Sequence, residues 1–161
     1  MTKRKNTTRA ITFSAAAIAL YIAIMYATQS FAFGPYQIRV ATSLYALAYI
    51  FPFLVIPLGV ANSLSNFLGG LGAWDMVGGF FAGFITAGGV YMVRKLKLPR
   101  VLVIPVIIFG PGLMVPLWLS FITGIPYWVL ALSLCIGQTP PAMLGYLLIK
   151  KLPAIPLFTH E

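Results

Sequence analysis

The chain has 161 residues, of which 60% are hydrophobic and only 8% are charged, and its formal net charge is +9. An average soluble domain carries about 25% charged residues, so this composition excludes a soluble globular protein and is typical of a membrane domain. Apolar runs of about 20 residues, enough to cross a hydrocarbon core about 30 Å thick, recur along the chain and leave no room for a soluble domain. We therefore expect residues 1–161 to form a single integral membrane domain.

The first predicted helix covers residues 9–31 and follows a basic N-terminal segment. Its apolar run is long and lacks an A-x-A-like cleavage site followed by a soluble chain, so we expect it to stay as a membrane span. Alanines recur at every fourth position and form a ridge of small side chains, along which helix backbones approach closely in lipid. The ridge either packs inside the protein's own bundle or serves as a face for another membrane subunit. It consists of Ala15, Ala19, Ala23 and Ala27.

The region from residue 41 to residue 73 fits either one membrane span or two. Pro52 and Pro57 interrupt it, and proline breaks a helix because it lacks an N–H and clashes with the preceding turn. They predict two short helices, at residues 41–56 and 58–73. Helices of about 15 residues are too short to cross a bilayer upright, but they are tolerated at membrane depth where they line a protein-walled cavity.

Longer apolar runs predict three further helices, at residues 75–94, 101–122 and 126–150. The positive-inside rule favours two short helices over one, because only then do all three basic groups of the chain lie on the cytoplasmic face. The predicted fold class is therefore an all-α membrane protein with six transmembrane helices and cytoplasmic N- and C-termini. The groups are Lys3, Arg4, Lys5 and Arg9, then Arg94, Lys95, Lys97 and Arg100, then Lys150 and Lys151.

The positive charge does not predict nucleic-acid binding, because the basic groups flank apolar spans rather than forming a polar face. Anionic lipid is the partner that such juxtamembrane groups favour. One basic residue, Arg39, lies outside the three groups, in the predicted outer loop between the first two helices, where the topology rule does not explain it. It either snorkels to the outer headgroups or belongs to a site.

Few polar side chains lie within the predicted spans. Asn62 and Asn66 are four residues apart and share a helix face, and Gln138 lies near the middle of the last helix. These three amides either form a site or simply hydrogen-bond between helices. Asp75 begins the fourth predicted helix and is the only acidic residue besides Glu161. Aspartate is also a preferred N-cap residue, which gives Asp75 a purely structural alternative.

Arg39 and Asp75 both map to the outer third of the predicted bundle, at the level of several aromatic residues. A guanidinium, a carboxylate, amides and aromatic faces together indicate a pocket that is open to the outside and suits a small planar heterocycle, because such rings stack and present donor and acceptor edges. The aromatic residues at this level are Trp74, Tyr127 and Trp128. Tyr127 and Trp128, together with Trp118, alternatively form an interfacial belt, as in any membrane protein.

The sequence lacks the motifs of an enzyme or of a self-powered pump. No G-x-x-x-x-G-K-[ST] segment is present to bind a nucleoside triphosphate, and no H-E-x-x-H segment predicts a metal site. The lone Cys135 excludes a Cys-based metal site within one chain, and one acidic residue in the spans excludes paired-carboxylate catalysis. We therefore expect no enzymatic activity, no cofactor and no metal, and predict a binding subunit that other proteins supply with energy.

Three segments, in addition to the alanine ridge, resemble one known family. They are GPYQIRV at residues 34–40, ANSLSNFLGGLGAWDMVGG at residues 61–79 and GQ at residues 137–138. On these residues the chain resembles the substrate-binding subunits (S components) of energy-coupling factor (ECF) transporters, specifically the QueT-type family of queuosine-precursor transporters. The resemblance covers most of the chain.

The resemblance implies a six-helix S-component fold in the plasma membrane of a prokaryote, with an outward-facing pocket roofed by the loop between the first two helices. It implies uptake of a deazaguanine similar to preQ0 or preQ1. The alanine ridge would dock on a transmembrane coupling subunit (EcfT-like), and two cytoplasmic ATPases would complete the complex. The expected partners are these proteins, the small-molecule substrate and the lipid bilayer, and no nucleic acid.

The predicted substrate-binding residues combine the resemblance with the outer cluster. The resemblance assigns two of them, Gln37 and Arg39, to the roofing loop. A departure from the family pattern concerns Ala41 and Thr42, which stand where a serine and a glutamate are expected. If the ligand is a deazaguanine, the carboxylate of Asp75 has to serve its amino-imino edge, in a bidentate contact. The complete set is Gln37, Arg39, Asn62, Asn66, Trp74, Asp75, Trp128 and Gln138.

The missing glutamate leaves alternatives open. The chain could be an S component for another vitamin or nucleobase, or a stand-alone small-molecule carrier. A structural membrane protein that binds no small molecule is a further alternative, in which the outer polar residues would tolerate alanine.

Overall fold

The part of the chain that the structure describes is built from helices. A computed structural model gives the backbone of residues 2–152 and the side chains of residues 7–152. Five helical segments are long and apolar enough to cross a membrane, which confirms the predicted all-helical membrane class. The α-helices are α1 (Thr2–Ala27), α2 (Gln29–Ala32), α3 (Val55–Asn66), α4 (Ala73–Lys95), α5 (Val103–Thr123) and α6 (Tyr127–Lys151). Short 3-10 turns adjoin α3 and α5 at Pro52–Leu54, Phe67–Gly69 and Arg100–Leu102.

Some of the predicted charges lie outside the described residues. They are Glu161 and the side chains of the first three basic residues, Lys3, Arg4 and Lys5. The first basic group is therefore represented in the structure by Arg9, an exposed residue of α1.

The region predicted as the second span, residues 41–56, differs from that prediction. It contains a ten-residue 3-10 helix, Val40–Tyr49, which we call the central helix. Ten residues advance about 20 Å as a 3-10 helix but only about 15 Å as an α-helix, so this winding carries a short segment further before Pro52 interrupts it. The hydropathy of the segment indicates burial but does not distinguish the two kinds of helix, which is why the sequence did not predict it.

The central helix lies in the middle of the bundle. It contacts α1, α3, α4, α5 and α6, and seven of its ten residues are buried. Small side chains allow helices to approach from several sides, and four of the buried residues of the central helix are alanine or serine. The sequence predicts four long helices and two short ones, whereas the described residues form five long helical segments around one short helix. Whether the central helix crosses the membrane remains a prediction.

The basic turn between α4 and α5 marks one end of the bundle. Arg94 Nη1 donates to the backbone oxygens of Tyr49 at 2.9 Å and Ile50 at 2.8 Å, and the Arg100 guanidinium lies 5.9 Å from the centre of the Tyr49 ring. The last carbonyls of a helix lack intrahelical partners, and Arg94 supplies donors to them. Arg39 immediately precedes the central helix, so it lies at the opposite end of that helix, about 20 Å away.

Helix α1 presents two different sides. Ala17, Tyr21 and Met25 are buried at a spacing of four residues and face the bundle. The alanine ridge lies on the other side, and all four of its alanines are exposed. Packing inside the protein's own bundle therefore does not account for the ridge.

Two glycines shape the turn between α3 and α4. Gly70 and Gly72 have φ angles of +68° and +85°, in the left-handed region that favours glycine. This turn reverses the chain, so the last turn of α3 lies beside the first turns of α4. The backbone oxygen of Asp75 consequently comes within hydrogen-bonding distance of the Asn66 side chain.

Substitution of Arg94 by glutamine should lower the stability of the purified protein by roughly 1 kcal/mol, because the carbonyls of Tyr49 and Ile50 lose a charged donor. The measurement is the midpoint of thermal unfolding in detergent. Lys150→Gln, at the exposed end of α6, removes the same charge without such contacts and is the control. Equal unfolding midpoints for the two variants would contradict the capping role of Arg94.

Candidate functional site

The guanidinium of Arg39 is buried and holds the centre of a polar cluster. Arg39 is only 4% exposed. Its Nη1 donates to the side-chain oxygens of Asn66 at 2.8 Å and Asn62 at 3.3 Å, and its Nε donates to the backbone oxygen of Ala32 at 3.4 Å. Its carbon Cζ lies 5.1 Å from the centre of the Phe33 ring, in a cation–π contact. The alternative in which Arg39 snorkels to the outer headgroups is therefore wrong.

Asn62 and Asn66 share one face of α3, as their spacing predicts, and α4 fixes the orientation of both amides. Asn62 Nδ2 donates to the backbone oxygen of Gly79 at 2.7 Å, and Asn66 Nδ2 donates to the backbone oxygen of Asp75 at 2.8 Å. Since a carbonyl accepts only from the nitrogen of an amide, both side-chain oxygens must point towards Arg39. The two amides therefore also hydrogen-bond between helices, which was the purely structural alternative for them.

Two tyrosines that sequence reasoning missed extend the cluster into α1 and the central helix. Tyr21 Oη donates to Asn62 Oδ1 at 3.1 Å and lies 3.1 Å from Tyr45 Oη. Both tyrosines are fully buried. Tyrosine is common at the ends of membrane helices, so no sequence signal separates these two from the other tyrosines of the chain.

Asp75 is buried, with 1% exposure, and its two carboxylate oxygens differ. Trp118 Nε1 donates to Oδ1 at 2.9 Å. The other oxygen, Oδ2, is buried and accepts no hydrogen bond from any residue that the structure describes. The N-cap position of α4 belongs to Gly72, and no side chain caps it, so the alternative of Asp75 as N-cap is wrong. A buried carboxylate oxygen without a partner is unfavourable, which makes Oδ2 a candidate contact for a bound molecule.

Gln138 joins α6 to the central helix and to the loop that precedes that helix. The hydroxyl oxygen of Thr42 lies 2.7 Å from Gln138 Oε1 and 2.7 Å from the backbone oxygen of Arg39. Gln138 Nε2 donates to the backbone oxygen of Gln37 at 3.3 Å. Thr42, which stands where the family resemblance implies a glutamate, is therefore a buried neutral partner of Gln138.

Residues 33–39, which we call the outer loop, close over the cluster. Ser133 Oγ donates to the backbone oxygen of Pro35 at 2.7 Å, so α6 holds the loop at this residue as well as through Gln138. Gly137 packs directly against the backbone carbonyl of Tyr36, and a Cβ at this position would overlap it. The sequence predicts a pocket open to the outside, and the structure instead has a closed cluster whose members are mutually hydrogen-bonded. Arg39 itself occupies the space between the two amides.

The two predicted aromatic site residues do not join the cluster. Trp74 is 76% exposed and Trp128 is 75% exposed, and the ring partner of Trp128 is Tyr127, at 4.9 Å. Their positions suit the interfacial belt that was the alternative for Trp128. Gln37 reaches the site only through its backbone oxygen, and it has a left-handed φ of +44°.

Comparison with known proteins gave one match. A family model described as QueT transporter matches residues 11–154, a range that contains every residue of the cluster. No curated protein and no solved structure matched the chain significantly.

Substitution of Gly137 by alanine should loosen the outer loop, because the added methyl group overlaps the carbonyl of Tyr36. We expect faster backbone hydrogen exchange at Ile38, whose N–H is bonded to the Phe31 oxygen at 3.0 Å. Hydrogen exchange followed by mass spectrometry measures this directly. The control is Gly88→Ala, where the nearest atom to an added Cβ is 3.8 Å away. Unchanged exchange in the outer loop of Gly137→Ala would show that α6 does not hold it.

Proposed function

The chain belongs to the QueT transporter family, and on that premise we propose that it is the substrate-binding subunit of an ECF-type ABC transporter. The family is one of transporters and not of enzymes, so the chain is a membrane component of substrate uptake. The proposed substrate is a small planar heterocycle of the queuosine-precursor class, similar to preQ0 or preQ1. The observation that carries the proposal is the buried Oδ2 of Asp75, which has no partner among the described residues.

The chemistry of the cluster suits such a ring. An anionic oxygen at Asp75 accepts from an N–H edge, and the guanidinium of Arg39 donates to a carbonyl oxygen. A deazaguanine carries an amino-imino edge and a carbonyl group on one flat ring, so both demands are met by one molecule. Asn66 contacts Arg39 through its oxygen and the Asp75 backbone through its nitrogen, which supports treating the two charged residues as parts of one site.

Ligand binding requires the outer loop to move, because the cluster is closed. Arg39 fills the space between Asn62 and Asn66, and its guanidinium has to leave at least one of them before a ring of this size can enter. We propose that the outer loop is the lid of the site and that the ligand replaces contacts that Arg39 makes in the closed protein. Two hydrogen bonds attach this loop to α6, donated by Ser133 and Gln138 to the backbone oxygens of Pro35 and Gln37, and so small a number suits a lid that has to open.

The proposed topology has six membrane passages with both termini in the cytoplasm, in the plasma membrane of a prokaryote. In this proposal the central helix crosses the membrane in addition to the five long helical segments, and the whole chain forms one membrane domain. The contact of Arg94 with the end of the central helix supports it, because the positive-inside rule assigns this basic turn to the cytoplasm and Arg39 lies at the opposite end of the same helix. The alanine ridge is the proposed docking face for an EcfT-like coupling subunit, which two cytoplasmic ATPases would drive. Its exposure supports this role.

An S component for another vitamin or nucleobase is the second candidate. It is favoured by Thr42, which offers no carboxylate where the family resemblance implies one. Mass spectrometry of small molecules retained after purification in mild detergent distinguishes the two candidates. A bound deazaguanine supports the first and another ring supports the second. Transport by the chain alone in liposomes, without ATPases, would instead identify a stand-alone carrier.

Substitution of Asp75 by asparagine should separate binding from stability. The variant keeps an oxygen for Trp118 but removes a buried negative charge, so the ligand-free protein should unfold at the same temperature as the wild type or higher. Affinity for the ligand should fall by about 1.5–3 kcal/mol, the value of a hydrogen bond to a charged group, which is more than tenfold. Isothermal titration with preQ0, preQ1 and guanine measures it. Unchanged affinity, or a clear loss of stability, would make Asp75 a structural residue.

Substitution of Ala19 by leucine should abolish transport in the assembled complex and leave ligand affinity intact, because bulk on the exposed ridge prevents close helix approach. The measurements are uptake by cells that express the complex and titration of the purified subunit. Thr139→Leu, which adds bulk at an exposed position of α6, is the control and should retain transport. Loss of both binding and transport in Ala19→Leu would assign the ridge to folding instead.

A further inference from the structure

We propose that Trp118 is the positioning residue for Asp75: its indole N–H holds Oδ1 and leaves Oδ2 as the single oxygen that receives an N–H donor of the ligand. This inference rests on the proposed function of the cluster. It corrects the sequence-based expectation of a bidentate contact, since one of the two oxygens is already engaged.

The position of Trp118 is set by close packing against α4. An added Cβ at Gly78 would lie 2.5 Å from the nearest atom of the Trp118 ring, so the indole lies against the helix backbone at a point where a side chain is absent. The ring is thereby prevented from moving towards α4, and its N–H is directed at the carboxylate of Asp75, three residues before Gly78. Because the indole is held in place, its N–H, at 2.9 Å from Oδ1, fixes the orientation of the Asp75 carboxylate. A donor on a flexible side chain would move with the carboxylate.

Trp118 also separates Asp75 from the outside of the bundle. The indole is one wall of an apolar groove of about 300 Å³ at the same end of α5. Asp75 is only 1% exposed, so we infer that the indole separates its carboxylate from water or lipid in the groove. Water or lipid headgroups that reached Oδ2 would compete with a ligand donor, so this shielding favours recognition of the ligand. The remaining residues of the groove are Trp74, Leu117, Phe121 and Ile122.

The consequence for specificity is that the ligand must present at least one N–H to a single oxygen. Rings that carry a carbonyl or a methylated nitrogen at that place would leave Oδ2 unpaired and would meet repulsion from its charge. The interfacial belt does not explain Trp118, because its N–H is bonded to a buried carboxylate rather than to water or headgroups.

The test is a double-mutant cycle on ligand affinity. Trp118→Phe keeps an aromatic ring and removes the donor, and it should weaken binding of preQ0, preQ1 or guanine about tenfold. If Trp118 acts through Asp75, adding Trp118→Phe to Asp75→Asn should cause little further loss, because effects of residues in one hydrogen-bonded pair are not additive. Phe121→Leu changes the same groove without touching Asp75 and should bind like the wild type.

A spectroscopic measurement tests the hydrogen bond without a ligand. The chain contains three tryptophans, and the indole signals that disappear in Trp74→Phe and in Trp128→Phe, two exposed positions, leave the third signal in a ¹⁵N spectrum to Trp118. The Trp118 signal should shift in Asp75→Asn, while that of Trp128 stays in place. A signal that does not move would overturn the inference, even if Trp118→Phe failed to fold.

The outcomes of the cycle separate the two proposals. A wild-type chain that binds none of the three rings would overturn the proposed substrate class, and with it this inference. A wild type that binds, with unchanged affinity in Trp118→Phe or fully additive losses in the double variant, would overturn this inference alone.

Discussion

The burial of one guanidinium organises the polar interior of this protein. Removing a cation from water costs several kcal/mol, and the cost is offset only when good hydrogen-bond acceptors replace the water. Arg39 is satisfied by neutral oxygens, chiefly those of Asn62 and Asn66, and among the described residues no carboxylate pairs with it. The amides can serve because α4 carbonyls hold their nitrogens. This in turn requires α3 and α4 to pack closely, which Gly79 permits, since an added Cβ there would lie 2.5 Å from Asn66 Nδ2.

The two buried charges are kept apart rather than paired. A direct ion pair between Arg39 and Asp75 would satisfy both groups and leave nothing for a ligand to complete. Instead Asn66 lies between them, bonded to the Arg39 side chain and to the Asp75 backbone, and one carboxylate oxygen stays without a partner. Proteins commonly give up stability at a functional site in this way, because a group that is fully satisfied in the free protein gains little from binding.

The sequence predicted the parts of the fold and site that depend on composition and spacing, and missed those that depend on tertiary packing. Hydropathy and charge indicated an all-helical membrane protein, and helical spacing predicted that Asn62 and Asn66 share a face. The 3-10 winding of Val40–Tyr49 was not predicted, because the hydropathy of this segment indicates burial and is compatible with either kind of helix. The inward direction of Trp118 depends on tertiary packing, because its ring lies where Gly78 has no side chain. In the sequence alone, Trp118 is indistinguishable from a belt residue such as Trp128.

Helix α1 connects the candidate site with the proposed docking face. Its inner side carries Tyr21, which donates to the same Asn62 oxygen that accepts from Arg39, and its outer side carries the exposed alanine ridge. A ligand that displaces Arg39 from Asn62 Oδ1 would leave that oxygen with the hydroxyl of Tyr21, on α1, as its remaining donor among the described residues. Coupling between the two faces of α1 requires an element with two arrangements that both sites bias. The outer loop is the natural candidate for that element, because it carries Arg39 at one end and its backbone oxygens accept the two hydrogen bonds from α6; the proposed opening would alter the Asn62 contacts without unfolding a helix.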